Sequence, residues 1–450
     1  MSSIRIGCER GTSAIVLWMT LGLLSGCATY SERVEDVRKE SSRGAYSSAL
    51  DKVNKAIGVR SVDDLPRSWK GDRPLAVLER SILLQATEEY AKSARDMSGA
   101  ETELELLDLK TDTAGQIGKY VYSDSSQDYE ASPTERLALN GLNMANYLAL
   151  GDIAGAAVEA RRFTNMRDYL SSVGLDAHGT FGAYLSGFVF ERMGEGDRAL
   201  RYYEEALEQG QLASLVAPVS RLASFNPYRG PALNTLLAKS TAQAGGAPAA
   251  PSEILTVFAL GRVPYKIPKR IPIGAAVGIA GTFVTGNTAI LERSAFKVVV
   301  YPELEASKTR AGKANLKIDG QNIPVEQVSS LGADIRAEYQ LIKPKIIGAA
   351  LTRMIARAAV AEGARAAGQQ VGPVLGLLAA LAAEGSMVAL DKPDTRSWTL
   401  LPNHVAIART AVASGTHQVD VVIPGVAEKR SITVDVPKGG FAVVVVTVPR

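Results

Sequence analysis

The chain has 450 residues and a formal net charge of +3, from 50 Lys+Arg against 47 Asp+Glu. That balance offers no basic field for nucleic acid, and 46% apolar with 22% charged residues is the composition of a folded chain, which excludes disordered and collagen-like classes. Two cysteines (Cys8, Cys27) and three histidines (His178, His404, His417) nowhere fall at zinc-site spacing, so the expectation is no metal site and no cofactor.

At the N-terminus, Arg5 and Arg10 precede an apolar run from Ala14 to Leu24. The run suits a signal-peptide core and is too short to span a bilayer. It ends in Leu24-Ser25-Gly26-Cys27, which resembles the bacterial lipobox, with small residues before a cysteine whose thiol takes a diacylglycerol. The expectation is a signal peptide over 1–26 and lipidation at Cys27. Cleavage would remove Cys8 and acylation would consume the remaining thiol, so no disulfide can form. A bacterial lipoprotein carries three acyl chains of the palmitate kind, and each buried CH₂ contributes ~0.8 kcal/mol to anchoring. Ala28 follows the cysteine where an Asp would resemble an inner-membrane retention signal. By that resemblance the chain is a lipid-anchored, periplasm-facing protein of the outer membrane.

From Ser31 to about Ser240 the apolar spacing is helical. The clearest unit runs from Ala183 to Leu207, with Gly187, Phe190, Gly194, Ala199, Tyr203 and Ala206 in the register of a tetratricopeptide repeat. Gly187 and Ala199 would let two antiparallel helices approach, Phe190 and Tyr203 would fill the gap, and Gly194 would sit near the turn. Weaker copies are marked by Gly44, Glu88 and Gly151. Their spacing is irregular against the ~34 residues of a regular array. The expectation over 27–241 is therefore a degenerate tetratricopeptide-like α-solenoid, whose concave surface binds peptides or proteins; an ordinary helical bundle is the alternative.

Within this half, Ser132-Pro133 with Glu135 three residues after the serine predicts a helix start. Glu159, Arg161 and Arg162 lie on a later predicted helix. They are either a helix-stabilising ion-pair cluster or a partner-binding patch on the concave face, since arginine presents a bidentate fork to a carboxylate. Glu101, Glu105 and Asp108 have helical spacing and predict a solvated acidic face.

Several of these signals recur together. The lipobox, the helix pairs, the series Tyr129-Glu130, Glu135-Arg136, Asn146-Tyr147-Leu148, Leu150-Gly151-Asp152 and Val158-Glu159-Ala160-Arg161-Arg162, and the later Asp394-Thr395-Arg396-Ser397-Trp398 together resemble a family of uncharacterised proteobacterial lipoproteins with tetratricopeptide-like repeats. The resemblance covers most of the chain after Cys27. It implies an envelope location and gene neighbours similar to the curli-export lipoprotein and to activator lipoproteins of penicillin-binding proteins. It brings no catalytic residues.

Residues 242–252, rich in Ala, Gly and Pro, predict a linker. Beyond it the period becomes extended, with strands expected at Ile254–Leu260, Phe296–Tyr301, Ala314–Ile318, Val405–Arg409, Gln418–Ile423, Ser431–Val436 and Phe441–Val448. Pro437-Lys438-Gly439-Gly440 would join the last two as a hairpin. Residues 253–450 thus read as a strand-rich, sandwich-like domain, making the whole α+β. Two apolar segments interrupt it. Residues 271–291 carry no charge before Glu292 and are long enough to span a membrane, although their glycines favour a loop folded on the sheet. Residues 346–383 predict a helical insertion, with Arg353, Arg357 and Arg365 along one face. It either packs on the sheet or lies in a membrane interface.

No Gly-x-Ser-x-Gly, His-Glu-x-x-His or P-loop sequence is present. The sequence thus points away from an enzyme. It points to an outer-membrane lipoprotein that binds other envelope proteins as a scaffold, or alternatively to a structural part of a secretion or surface assembly with a membrane-interacting segment.

Overall fold

The computed structural model describes residues 28–109, 129, 131–175, 179–239, 251–286, 288–292, 297–307, 312–369, 393–426 and 428–450. Cys27, most of the 242–252 stretch and residues 370–383 lie outside them. The order of elements is α+β, with helices in the first half and sheets in the second.

The helices run α1 (Tyr30–Arg33), α2 (Glu35–Arg43), α3 (Tyr46–Ile57), α4 (Arg73–Ala86), α5 (Tyr90–Leu109), α6 (Pro133–Ala149), α7 (Ile153–Ser172), α8 (Thr180–Arg192), α9 (Gly196–Leu207), α10 (Val216–Ala223) and α11 (Pro231–Lys239). Each of the four marker positions sits in a tight turn between helices with left-handed backbone: Gly44 (φ 77°), Glu88 (φ 65°), Gly151 (φ 72°) and Gly194 (φ 79°). Glycine adopts that region freely, whereas Glu88 does so at a steric cost. The expected start of α6 is present, with the Ser132 side chain accepting from Glu135 N and the Glu135 carboxylate accepting from Ser132 N. Between α8 and α9 the approach is as close as the sequence implied. A Cβ on Gly187 would lie 2.4 Å from the Tyr203 ring, and Phe190 stacks on Tyr202 at 5.4 Å.

Buried polar pairs stitch neighbouring helices. Arg80 on α4 donates to both carboxylate oxygens of Asp96 on α5 (2.6 and 3.0 Å) and to Asn54 on α3 (3.0 Å). Gln85 on α4 donates to Asn146 on α6 at 2.8 Å. Such groups are tolerated inside because each donor finds an acceptor.

The second half contains β1 (Glu253–Leu260), β2 (Tyr265–Pro272), α12 (Ile273–Ala280), β3 (Val298–Glu305), β4 (Asn315–Ile318), β5 (Gln321–Ile323), β6 (Glu326–Ser329), α13 (Leu331–Gln369), β7 (His404–Ala411), β8 (Gly415–Ile423), β9 (Glu428–Val436) and β10 (Phe441–Val448). One sheet has the order β10-β1-β7-β6 and the other β5-β4-β8-β9. Alternation along β1 divides its side chains between two cores. Leu255, Val257 and Ala259 join a cluster with the helices, while Ile254, Phe258 and Leu260 face Leu316, Val419 and Val421 of the second sheet. The layers are thus helices, sheet, sheet.

The sequence-based hairpin at Pro437–Gly440 is not formed. The chain crosses there from one sheet to the other, and β10 pairs parallel to β1 while β9 pairs with β8. Side-chain burial gives the reason. β9 alternates between half-buried and exposed positions, as an outer strand does, whereas β10 is buried on both faces from Val444 onward. A strand apolar on both faces needs a layer on each side. The free edge of β10 is covered by the helical half, with Tyr90 Oη donating to Val445 O at 2.9 Å. Strands β2, β5 and β6 were not expected. Asp319-Gly320, both at positive φ, form the two-residue turn joining β4 to β5.

Residues of 271–291 and of the described part of 346–383 belong to a third small core. Strands β2 and β3 form a two-stranded antiparallel ribbon. Residues 271–291 do not form one long helix: they hold the end of β2, the short α12 and 3₁₀ turns at Gly281–Phe283 and Thr288–Glu292. The predicted insertion begins fifteen residues earlier than expected, at Leu331, and runs through Pro344. Asp334 N and Ala333 N turn back to Ser330 O and start it. Ile347, Leu351 and Met354 of α13 pack with Ala276, Val299 and Tyr301. Among the described residues no helix is long and apolar enough to cross a membrane.

Candidate functional site

The Asp394-Thr395-Arg396-Ser397-Trp398 segment lies against the helical half, held by two buried glutamates. Glu79 of α4 accepts from Thr399 N (2.7 Å), Thr399 Oγ1 (2.8 Å) and Leu400 N (2.8 Å). Glu135 at the start of α6 accepts from Trp398 N (2.8 Å) and from Tyr129 Oη (2.7 Å). The Trp398 indole is fully buried, and its Nε1 donates to Leu78 O at 3.0 Å. Burial pushes the Glu79 carboxyl up to about 7, against the Thr399 and Leu400 donors that pull it down. Glu79 itself escaped the sequence reading, although a Glu-Arg-Ser interruption inside the apolar run 75–84 marks it.

Beside this segment is a cleft of about 510 Å³, lined among others by Ala28, Arg33, Lys70, Asp72, Asp394 and Arg396. Arg33 pairs with Asp72. Arg396 donates to Asp394 at 2.6 and 2.8 Å, with Asp72 3.8 Å away. The wall of the cleft is therefore an ion-pair network, next to the residue that follows Cys27.

Of the expected partner-binding residues, Glu159 is buried. Asn140 Nδ2 donates to it at 3.2 Å and Arg162 at 3.2 Å. Arg162 also donates to Glu101 at 2.7 Å, so these two residues join α7 to α5. Glu101 is buried, which corrects the expectation of a solvated acidic face at that position; the side chains of Glu105 and Asp108 lie outside the described residues. Arg161 is exposed and donates to Ala157 O at 3.3 Å on its own helix. The structure thus brings Glu159 and Arg162 together and leaves Arg161 apart from them.

A third buried network joins α8 and α9 to the first sheet. Arg409 of β7 donates to Glu253 (2.7 and 2.8 Å), to Glu191 (2.8 Å) and to Tyr203 Oη (2.9 Å). Arg192 pairs with Glu253, and Arg221 with Glu191. Burial and the neighbouring Arg409 push the Arg192 guanidinium down to about 10. Burial alone would raise Glu191, but Arg409 and Arg221 hold it below the usual carboxylate range. With every charge so occupied, the network serves as a clamp.

His417, on β8, meets Asp319 through Nδ1 at 2.6 Å, and that contact raises its pKa. His404 opens β7, and His178 lies outside the described residues. Among the described residues no three His, Cys, Asp or Glu side chains gather where a metal ion could be held. No family model, no curated protein and no solved structure matches this chain.

Proposed function

We propose that the protein is an outer-membrane lipoprotein, anchored through Cys27 and facing the periplasm, that acts as a scaffold for other envelope proteins and does not catalyse a reaction. The observation that carries this reading is the fate of its charged clusters. Glu79, Glu135, Glu191, Arg409 and Arg162 are all spent on contacts within the chain, as a framework requires. The tetratricopeptide-like nature of the helical half is part of the proposal, supported by the four left-handed turns between helices.

In this reading the partner surface includes the outward side of α7 with Arg161, because side chains of α4 and α6 are already engaged by residues 398–400. Envelope proteins resembling the curli-export lipoprotein are the partner class that the family resemblance implies. A second reading, a structural part of a secretion or surface assembly, is favoured by apolar exposure on the third core: Leu341 is 79% and Val360 59% exposed on α13.

Photo-crosslinking in cells, with the reactive residue placed at position 161 or 341, tests both. Capture of an envelope protein from 161 supports the scaffold reading. Capture from 341 alone, of another copy or of lipid, supports the second. Normal membrane retention of Cys27→Ser would remove the anchor from either.

A further inference from the structure

The β2–β3 ribbon ends in a tip whose large apolar side chains point outward. α12 follows β2 directly, with Ile273 N donating to Lys297 O at 3.1 Å, and a 3₁₀ turn at Gly281–Phe283 follows α12. The inward positions of α12 carry small side chains, Ala276 and Ala280, both buried. Ile279 and Phe283 are each 41% exposed, and so is Val298, which pairs with Pro272 at the end of the ribbon. Gly348 of α13 accounts for the placement of Phe283. A Cβ there would lie 2.6 Å from Phe283 O, so the backbone of the turn is pressed on α13 and the ring is left at the surface.

Charge around the tip has one sign. No Asp or Glu occurs between Glu253 and Glu292. Lys269, Arg270 and Lys297 are exposed where the ribbon meets the tip, and Lys345 Nζ lies 5.7 Å from the centre of the Phe283 ring. Glu303, the first acid back along the ribbon, is held between Lys343 (2.8 Å) and Lys269 (3.5 Å). An apolar tip with a basic collar suits the interfacial layer of a bilayer, where apolar groups meet acyl chains and cations meet phosphates. A tip-to-tip contact between two copies would instead set the two collars against each other. The far end of the ribbon lies beside α1, where Tyr265 and Ile267 share a cleft with Ser31 and Glu32. The eight residues of β2 span roughly 25 Å at about 3.3 Å each, so an acyl anchor at Cys27 would keep the tip within reach of the same membrane.

We propose that α12 and the Gly281–Phe283 turn form a second membrane contact, entering the interfacial layer of an anionic bilayer. Ile279 and Phe283 lie among the acyl chains, and Lys269 and Arg270 meet the headgroup phosphates. The contact does not cross the bilayer, since α12 has only 8 residues. It goes beyond the scaffold reading and takes from it only the nearby anchor.

The test uses residues 27–450 with Cys27→Ser, which has no acyl chain and no thiol of its own, so failure of the anchor is not confused with failure of the tip. Ile279→Cys carries an environment-sensitive NBD label, and Lys438→Cys, exposed between β9 and β10, is the control. Phosphatidylglycerol–phosphatidylethanolamine vesicles at millimolar lipid should raise the emission at 279 about twofold or more and shift it to the blue, with the control unchanged. Brominated acyl chains should quench the signal at 279. Phe283→Glu and Arg270→Glu should each lower the fraction sedimenting with vesicles about threefold or more, and Lys438→Glu should not. All these substitutions replace exposed side chains, and circular dichroism checks that each variant keeps its fold. Emission at 279 that ignores the vesicles overturns the proposal, as does vesicle binding unaltered by Phe283→Glu. Emission that rises with protein concentration in the absence of lipid also overturns it, and gives the tip to a second copy of the chain.

Discussion

The Glu135 carboxylate accepts the backbone N–H of Trp398 at 2.8 Å, across 263 residues of chain. The same side chain closes the capping box of α6, so one residue starts a helix and docks a distant loop. Glu135→Ala would orphan donors from Trp398, Tyr129 and Ser132. Each buried unpaired donor costs about 1–3 kcal/mol, so a loss of ~3 kcal/mol or more is expected in urea unfolding. Trp398 fluorescence should shift to the red as water reaches the indole. An unchanged midpoint and spectrum would show that the loop docks by packing alone.

Gly187 permits the α8–α9 approach. Gly187→Ala should cost about 1–3 kcal/mol and Gly187→Leu more, because the added atoms meet the Tyr203 ring. Shrinking Tyr203 to Leu in the Gly187→Ala background should recover part of the loss only if the clash is with that ring. Thermal melts of the three variants decide it.

Stability should fall as pH rises. Burial raises Glu338 to about 7, as it does Glu79, from an ordinary 4.5. Between those values the folded state holds more protons than the unfolded one, so the stability present below about pH 4.5 is lost as pH passes about 7. Each carboxyl contributes on the order of 1–3 kcal/mol to that loss. Glu338→Gln keeps an acceptor for Thr134 and should flatten the profile by roughly half. Urea midpoints from pH 4.5 to 8 measure it, and a wild-type profile that rises over this range contradicts the assignment.

Reversing the two arginines of α7 should separate their roles. Arg161→Glu is expected to change stability by less than about 0.5 kcal/mol, as at other exposed sites. Arg162→Glu sets a third carboxylate against Glu101 and Glu159 and should cost about 1–3 kcal/mol. Circular dichroism melts check both, and loss of partner crosslinking in Arg161→Glu with a normal melt would place recognition at that side chain.

The helix pairs were legible because their signals are local: a capping box at Ser132, a turn every time the chain reverses, small residues where helices touch. Glu88 was legible only as the marker of a weak repeat copy, and its left-handed turn came from the structure, because nothing in the side chain itself signals a positive φ. Strands β1, β7 and β10 of the first sheet were legible from β-branched runs, while the short β6 was not. Their pairing was not, because β10 beside β1 is a decision between distant segments that no local turn records. Nor does local sequence distinguish a glutamate facing water from one, like Glu79 or Glu101, whose acceptors meet donors from elsewhere in the chain. Pro344 hid the start of α13, since proline in a helical pattern is read as a stop.

Ser41 Oγ donates to Pro449 O, and Arg450 Nε donates to Tyr46 Oη at 3.1 Å. The opening helices are therefore finished by the last strand. Any chain delivered N-terminus first, by a ribosome or through a translocation channel, must keep those helices waiting until residue 450 has emerged. Such long loop closures slow folding and lengthen the time during which apolar faces stand open. A truncation that removes only β10 should therefore uncover the faces of α4 and α6 that it packs against, although both helices emerge hundreds of residues before it.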